Sequence, residues 1–407
     1  MHLSHLSLTN FRNFTRLDID VPGGLVLLVG NNAQGKTSLL EAVNFLATFD
    51  SYHTNSDRQL INFMAAREDI AAARIQAELI EKAHDSSSRN LHHIEIRIIQ
   101  EKVNSGNSPR VRREILLDGV KRRASEAVGI FNAVLFLPQM LRVIEGSPED
   151  RRRYLNIAIS QVFPSYIEIL REYKKILSQR NALLKRLSDR GGDENQLFYW
   201  DEKLSIEGAK LIIERIRAVH EIELLAQKVH SELTRADEVL RINYVPSYDP
   251  LLEVNDQFSL PILTPVNRSV LTYETIQNRY LEALSRIHKD EIERGFTTIG
   301  PHRDDLRFIC NSIDLGEYGS RGQCRTAVLA SKLAEVEWIR QRTGDWPVLL
   351  LDEVISELDP IRKSDLLTYI QSSDQVLITT ADPDQFNDDF IEFAKVWHIV
   401  GGRIKND

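Results

Sequence analysis

Residues Gly30, Asn31, Asn32, Ala33, Gln34, Gly35, Lys36, Thr37 and Ser38 contain the pattern G-x-x-x-x-G-K-[ST]. They stand between an apolar run, GLVLLVG (24 to 30), and TSLLEAVNFLA (37 to 47), whose apolar residues recur at helical spacing. A glycine-rich turn between a buried strand and a helix presents backbone N–H groups to phosphate oxygens at the helix N-terminus. Lys36 then reaches the β and γ oxygens and Thr37 offers its hydroxyl to Mg²⁺, with Asn32 and Gln34 lining the same turn. The chemistry expected is binding of a nucleoside triphosphate, with ATP and Mg²⁺ as the ligands.

A second apolar run, PVLLL (347 to 351), leads into Asp352 and Glu353. A carboxylate at the end of a buried strand is costly unless something pairs with it, and Mg²⁺ beside the Thr37 hydroxyl does so. Glu353, one residue on, is the candidate general base that polarises the attacking water; by itself it reads as a surface acid after a strand.

The segment GSRGQCR (319 to 325) precedes helical sequence and ends 27 residues before Asp352. It resembles the ABC ATPase signature, with Ser320, Gly322 and Gln323 in the matching places. A serine hydroxyl and free N–H groups at a helix N-terminus form an anion site, although the same residues also describe a plain N-capped helix. A chain that already has its own phosphate loop uses a second anion site best on the γ-phosphate held by another copy, which implies an ATP-sandwiched homodimer. Ser356, Glu357, Leu358 and Asp359 resemble the D-loop of that class. Gln139, after AVLFLP (133 to 138), is either a Q-loop residue on the metal side or an ordinary exposed glutamine. The histidine that many such ATPases carry after the last core strand is replaced by Thr379 and Thr380, so slow turnover is expected.

These groups have to be positioned by one sheet. GLVLLVG, PVLLL and QVLITT (375 to 380) read as buried strands with helical sequence beside them, and they come from both ends of the chain. Between them Ile167, Leu170, Tyr173, Leu177, Leu184 and Leu187, then Ile212, Ile216, Val219, Ile222, Ala226, Val229 and Leu233, fall at helical spacing on either side of SDRGGDENQ (188 to 196). This predicts an antiparallel helical hairpin with arms of about 30 residues, about 45 Å long. A polar, proline-containing stretch (245 to 267) and a further helix over about 272 to 294 follow. The fold class is α/β: an ABC-type P-loop ATPase head, discontinuous in sequence (1 to 140 and 295 to 407), with an inserted helical domain (141 to 294).

The 407 residues carry 51 Lys and Arg against 59 Asp and Glu, a formal net charge of −8, so a polyanion must be held by a local basic patch. No apolar run approaches the length of a membrane span, and the start lacks a signal-peptide pattern. Two cysteines, Cys310 and Cys324, make neither a disulfide framework nor a CxxC zinc set, and a cytoplasmic location without membrane partners is expected. PRVRREILLDGVKRRAS (109 to 125) supplies the basic patch with Arg110, Arg112, Arg113, Lys121, Arg122 and Arg123, and its Asp118-Gly119 step predicts a two-stranded ribbon. Arg151, Arg152 and Arg153 form a second cluster. Both can follow DNA phosphates without reading bases; both also fit a solvated charged face, or for the second cluster a pairing with Glu149 and Asp150.

Taken together, LSLTNFRNF (6 to 14), GNNAQGKTSLLEAV (30 to 43), EGSPEDRRRYLN (145 to 156), GPHRDDL (300 to 306), SRGQCRT (320 to 326) and LLLDEVISELD (349 to 359) resemble the RecF family of bacterial recombination mediators, ABC-type ATPases related to the SMC proteins. The resemblance runs through essentially the whole chain. It departs at 138 to 140, PQM, where acidic residues are expected, and loops 81 to 110 and 188 to 196 look long. The resemblance implies an ATP-induced homodimer that binds double-stranded DNA near gapped single-strand junctions and hydrolyses ATP slowly to release it. It implies cooperation with RecR and RecO in loading RecA, within DNA repair, replication and the SOS response to DNA damage. By analogy with related heads, Arg12 and Asn32 also touch nucleotide. His302 and Arg303 of GPHRDD read equally as a structural turn or a functional loop. A transporter motor subunit fits poorly, because Gly35 and Ser320 lie 285 residues apart around a helical insert. A repair-nuclease partner would need a long coiled coil or nuclease carboxylates, and a DNA-binding protein that never hydrolyses ATP leaves Glu353 without a role.

Overall fold

The computed structural model describes residues 2–54, 56–80, 91–101, 109–251 and 268–405. The chain divides into two compact units, residues 1–139 with 339–407, and residues 140–338. No helix among the described residues is long and apolar enough to cross a membrane.

The first unit contains a six-stranded sheet in the order Arg403–Lys405, Lys395–Val400, Gly24–Val29, Gln375–Thr380, Val348–Asp352, Ala133–Phe136. All neighbours are parallel except the first pair, a hairpin. Gly24–Val29 lies in its interior, as its continuous apolar run requires. Thr380 pairs with Val29 and Thr379 with Asp352, so the ends of three strands are level with one another. The phosphate-loop helix Lys36–Thr48 packs across strands of this sheet and touches the strand Ile70–Ile80 of a second sheet.

That second sheet is antiparallel, ordered Phe14–Asp20, His2–Phe11, Ile70–Ile80, Leu91–Glu101, Arg110–Leu117, Val120–Arg122. Burial alternates along Ile70–Ile80, the period-2 pattern of a sheet with one covered face. Leu91–Glu101 is a strand within the segment expected to be a long loop. The Gln375 carboxamide accepts from Leu3 N (2.9 Å) and donates to Leu3 O (2.8 Å) and Pro22 O (2.9 Å), satisfying backbone groups beside a bulge at Leu3/His5. The expected ribbon is present: Leu117 pairs with Val120, and Asp118 and Gly119 take φ of 50° and 78°.

The second unit is mainly helical. Ser147 and Asp150 form a reciprocal capping box at the start of Pro148–Val162. Ser165–Arg190 and Gln196–Leu233 make the expected hairpin, its tip packed by Leu183, Leu184, Leu187 and Leu197. In the first arm the buried positions include Ile176 and Arg180, whereas Ile167, Leu170 and Leu177 are only partly covered. Arg180 turns inward because Asp201 (2.7 Å), Glu291 (2.6 Å) and Thr297 (2.8 Å) meet its guanidinium there. The predicted helix over 272 to 294 is two helices, Tyr273–Arg286 and His288–Arg294, divided at Ile287. The proline-containing stretch falls largely outside the described residues.

This unit also holds a three-stranded antiparallel sheet, Ile313–Asp314, Asp305–Cys310, Leu240–Val245. Its pairing draws residues 295 to 338, expected with the second part of the head, into the helical unit. GPHRDD forms a turn, with Arg303 N donating to Gly300 O (2.8 Å). Asp304 accepts from Ser247 N (2.8 Å) and the Tyr244 hydroxyl, His302 Nδ1 bonds the Tyr173 hydroxyl (2.7 Å), and Arg303 lies over Phe296.

Candidate active site

In the first unit the loop 30–35 joins the inner strand Gly24–Val29 to the helix Lys36–Thr48. A Cβ at Gly30 would meet Ile399 O at 2.5 Å, and Gly35 has φ +118° with Asn13 Nδ2 2.7 Å from its Cβ position. Only glycine fits at both ends of the cradle. Gln34 braces the outside of the loop: its Oε1 accepts from Gly401 N (2.6 Å) and its carbonyl from Gly402 N (3.0 Å). Asn31, Asn32 and Ala33 are exposed, while Lys36 is buried. The Lys36 ammonium donates to Gly30 O (2.6 Å) and Asn31 O (3.2 Å) and lies 3.1 Å from Glu353 Oε1.

Parallel pairing brings Asp352 to the mouth of the loop. Thr37 Oγ1 donates to Asp352 Oδ1 (3.0 Å), and Thr379 Oγ1 donates to the same oxygen (2.7 Å) while accepting from Glu353 N (3.0 Å). Glu353 takes φ 55°, which turns its carboxylate back toward Lys36 after the strand has ended. A hydroxyl and a carboxylate at this separation offer the hard oxygen donors that Mg²⁺ prefers, so Thr37 and Asp352 are the residues that would hold it. When bound, the ion neutralises charge on the β and γ oxygens. Thr379, not Thr380, is the threonine in the cluster; Thr380 Oγ1 donates to Asp382 O (2.8 Å) in a local turn. Gln139 is exposed, three residues beyond the strand end Phe136, which pairs with Leu351 next to Asp352.

A cavity of about 800 Å³ opens over the loop, lined among others by Arg12, Asn13, Asn32, Lys36, Phe63 and Glu353. It has the volume of a nucleotide-sized site. Arg12 is held in a fork by Glu41, Nε to Oε2 and Nη2 to Oε1, both 2.7 Å, and donates Nη1 to Gln59 O (2.9 Å). Asn13, Glu41, Gln59 and the wall from Ile61 to Met64 are not legible from motif spacing. The one signal is NFRNF, which places Asn13 beside Arg12.

In the second unit Ser320, Arg321 and Gly322 are exposed at the start of the helix Arg321–Thr343. Ser320 Oγ accepts from Gln323 N (3.2 Å) and Gln323 Oε1 accepts from Ser320 N (3.1 Å), a reciprocal cap that leaves the hydroxyl proton free to donate outward. Gly322 keeps the turn open, the nearest atom to its Cβ position being Ser320 Oγ at 3.9 Å. Asp359 is exposed and caps the helix Pro360–Ile370 through Ile361 N and Arg362 N, each 3.1 Å.

The basic residues divide by what they touch. Arg113 lies over Phe45, bonds Asp57 through both arms of its guanidinium and donates to Phe49 O (2.5 Å). Arg151 makes a fork on Asp305 and Arg152 donates to Asp304 O (2.8 Å). Arg110, Arg112, Lys121, Arg122 and Arg123 are exposed along the ribbon, although Arg112 pairs with Glu101 (3.4 Å) and Glu114 (3.7 Å), Lys121 with Glu114 (2.8 Å) and Arg122 with Glu126 (3.6 Å). Arg153 is half-buried in the helix Pro148–Val162.

Residues 2–401 match the family model described as RecF/RecN/SMC N terminal domain. The chain is 36% identical over 407 residues to the DNA replication and repair protein RecF of an Exiguobacterium species, covering all of both chains. It is 38% identical over 415 residues to the protein of that name from Chloroflexus aggregans, covering 99% of each. Among solved structures it is similar to the recombination mediator protein RecF with ATP in the RecFOR pathway, at 29% identity and a TM-score of 0.82, covering 99% of this chain and 97% of that one. An Smc head domain from Pyrococcus furiosus shares the fold at 17% identity, a TM-score of 0.50 and coverage of 99% and 95%.

Proposed function

The chain belongs to the RecF family of ABC-type ATPases, and from that premise we propose that it is an ATP-dependent DNA-binding protein of recombinational repair and replication restart. Two copies enclose each ATP, the phosphate loop and Asp352 coming from one and the Ser320 turn from the other. The closed dimer holds duplex DNA near single-strand gaps and helps load a recombinase in cooperation with RecR and RecO. Slow hydrolysis, with Glu353 as the base, then reopens it.

The observation that carries this reading is the Thr37–Asp352 contact of 3.0 Å, with Glu353 held beside Lys36 by the same strand end. It supports the reading because Thr37, Lys36 and Glu353 line one cavity, with the Asp352 carboxylate bonded to the Thr37 hydroxyl behind it. The exposed Ser320–Gly322 turn supports the two-chain closure, since a buried turn could not reach a neighbour's γ-phosphate. Two relatives are named for replication and repair, and one solved relative for recombination mediation with ATP; these support the cellular assignment.

The test is affinity for gapped, duplex and single-stranded oligonucleotides with and without ATP and Mg²⁺, with molecular mass measured in the same buffers. Tighter binding to gapped duplex together with an ATP-induced doubling of mass is expected. Equal binding with and without ATP by a protein that stays monomeric overturns the proposal.

A further inference from the structure

Among the described residues of the second unit, three side chains with metal-ligand chemistry converge behind the Ser320 turn. His230 lies in the last turn of the helix Gln196–Leu233, Glu238 in the connector that follows, and Cys310 at the end of the strand Asp305–Cys310. Their donor atoms all lie within 4.8 Å of one another. His230 and Cys310 are completely buried, and the Glu238 side chain is 22% exposed.

The backbone fixes this convergence. Cys310 pairs with Leu240, Val239 N donates to Asn311 Oδ1 (2.9 Å), and Asn311 N donates to Val239 O (3.1 Å), so the connector is held against the strand end. The two carboxylate oxygens of Glu238 are already assigned to different directions. Oε1 accepts from Gln323 Nε2 (2.8 Å), and Oε2 faces His230 Nε2 at 3.7 Å. An outer hydrogen bond that orients a carboxylate toward a metal position is the usual support of such a site.

We propose that His230 Nε2, Glu238 Oε2 and Cys310 Sγ form a Zn²⁺ site, with Gln323 as the residue that positions its carboxylate. Imidazole, thiolate and carboxylate are zinc ligands, whereas the thiolate disfavours Mg²⁺ and Ca²⁺. Metal–ligand bonds of about 2.0–2.3 Å put tetrahedral ligand atoms about 3.3–3.8 Å apart. The His230–Glu238 separation meets this, and no pair has more than about 1 Å to close by side-chain rotation. Three protein ligands leave the fourth position to water, which enters by the partly exposed Glu238 side. Cys310 binds as the thiolate, so each ion bound releases the thiol proton to solvent. Burial first, and then the Glu238 charge, push the metal-free thiol up to about 12. A dication between the two groups reverses the second influence and opposes the first.

The site also reaches the nucleotide chemistry, and this step rests on reading residues 320–323 as the signature turn. Gln323 caps Ser320 with its carbonyl oxygen and holds Glu238 with its amide nitrogen. Zinc fixes Glu238 and thereby Gln323, rigidifying the turn offered to the neighbouring chain's phosphate.

The experiment is titration of the metal-free full-length chain with Co²⁺ as the probe for zinc, without nucleotide, Mg²⁺ or DNA. Its outcome is therefore independent of the ATP reading. One tight equivalent with thiolate-to-cobalt charge-transfer absorption is expected, displaced by Zn²⁺, absent in C310S and retained in C324S. E238Q weakens binding more than tenfold, and Q323A about tenfold, as for outer-shell partners. Absence of the charge-transfer band, or its loss in C324S rather than C310S, overturns the proposal. Should C310S fail to fold, unchanged affinity in E238Q overturns it equally.

Discussion

The ammonium of Lys36 and the carboxylate of Glu353 lie 3.1 Å apart, joining the phosphate loop to the residue proposed as the base. The contact steadies the lysine, and on the proposed reading the same carboxylate serves as the base once ATP is bound.

Glu353→Gln keeps the side-chain shape and removes the base. Phosphate release should fall by about 100-fold or more, while ATP binding persists and the dimer accumulates. Sedimentation with ATP and Mg²⁺ checks this; a purely monomeric profile counts against the two-chain closure.

Gly30→Ala places a methyl group 2.5 Å from the Ile399 carbonyl, a backbone atom that cannot rotate away. The loop or the strand Lys395–Val400 must shift, at a cost of about 1–3 kcal/mol. Loss of ATP affinity with an intact circular dichroism spectrum is expected, measured by fluorescent-nucleotide titration.

The ribbon separates binding from stability. Arg112→Glu reverses an exposed charge and should weaken DNA binding and reduce the salt slope by about one unit. Arg113→Glu breaks the fork on Asp57 and the contact with Phe45, and should lower stability by about 2–4 kcal/mol. Parallel salt titrations and urea denaturation distinguish the two.

Arg180→Met leaves Asp201 and Glu291 buried without their shared cation. A loss of about 3–5 kcal/mol is expected for the second unit, read as a lower urea midpoint with ATP binding retained.

His302 adds a pH dependence. Burial, the largest influence, lowers its pKa from 6.5 to about 4, outweighing the opposing hydrogen bond to Thr297 O. Between these values the unfolded chain binds a proton that the folded chain does not. Stability therefore falls as pH drops from about 6.5 to 4, by up to about 3 kcal/mol from this group. His302→Gln should flatten that part of the stability profile, measured by urea unfolding at pH 7 and 5.

The candidate site was legible because each of its motifs is local. Lys36 and Thr37 are fixed by glycine spacing, Asp352 and Glu353 by the end of an apolar strand, and Ser320 and Gln323 by a cap spacing. What could not be read comes from pairings distant in sequence. Glu41 under Arg12 and Thr379 clamping Asp352 are ordinary polar residues until the sheets bring them together. Beyond its expected ribbon, the antiparallel sheet was missed because half-buried strands of mixed composition, such as Leu91–Glu101, resemble a long polar loop. Arg180 misled the helical register because a charged residue becomes a core residue once carboxylates from other helices surround it. The same hidden pairing ties Arg113 and Arg151 to carboxylates within the fold.

The inner position of Gly24–Val29, between strands made of residues 375–380 and 395–400, sets an order of assembly. During translation this strand waits for about 350 residues of further synthesis, on the order of tens of seconds, before either neighbour leaves the ribosome. The unbroken stretch 140–338 emerges whole in the meantime, while Gly24–Val29 still lacks both of its partner strands.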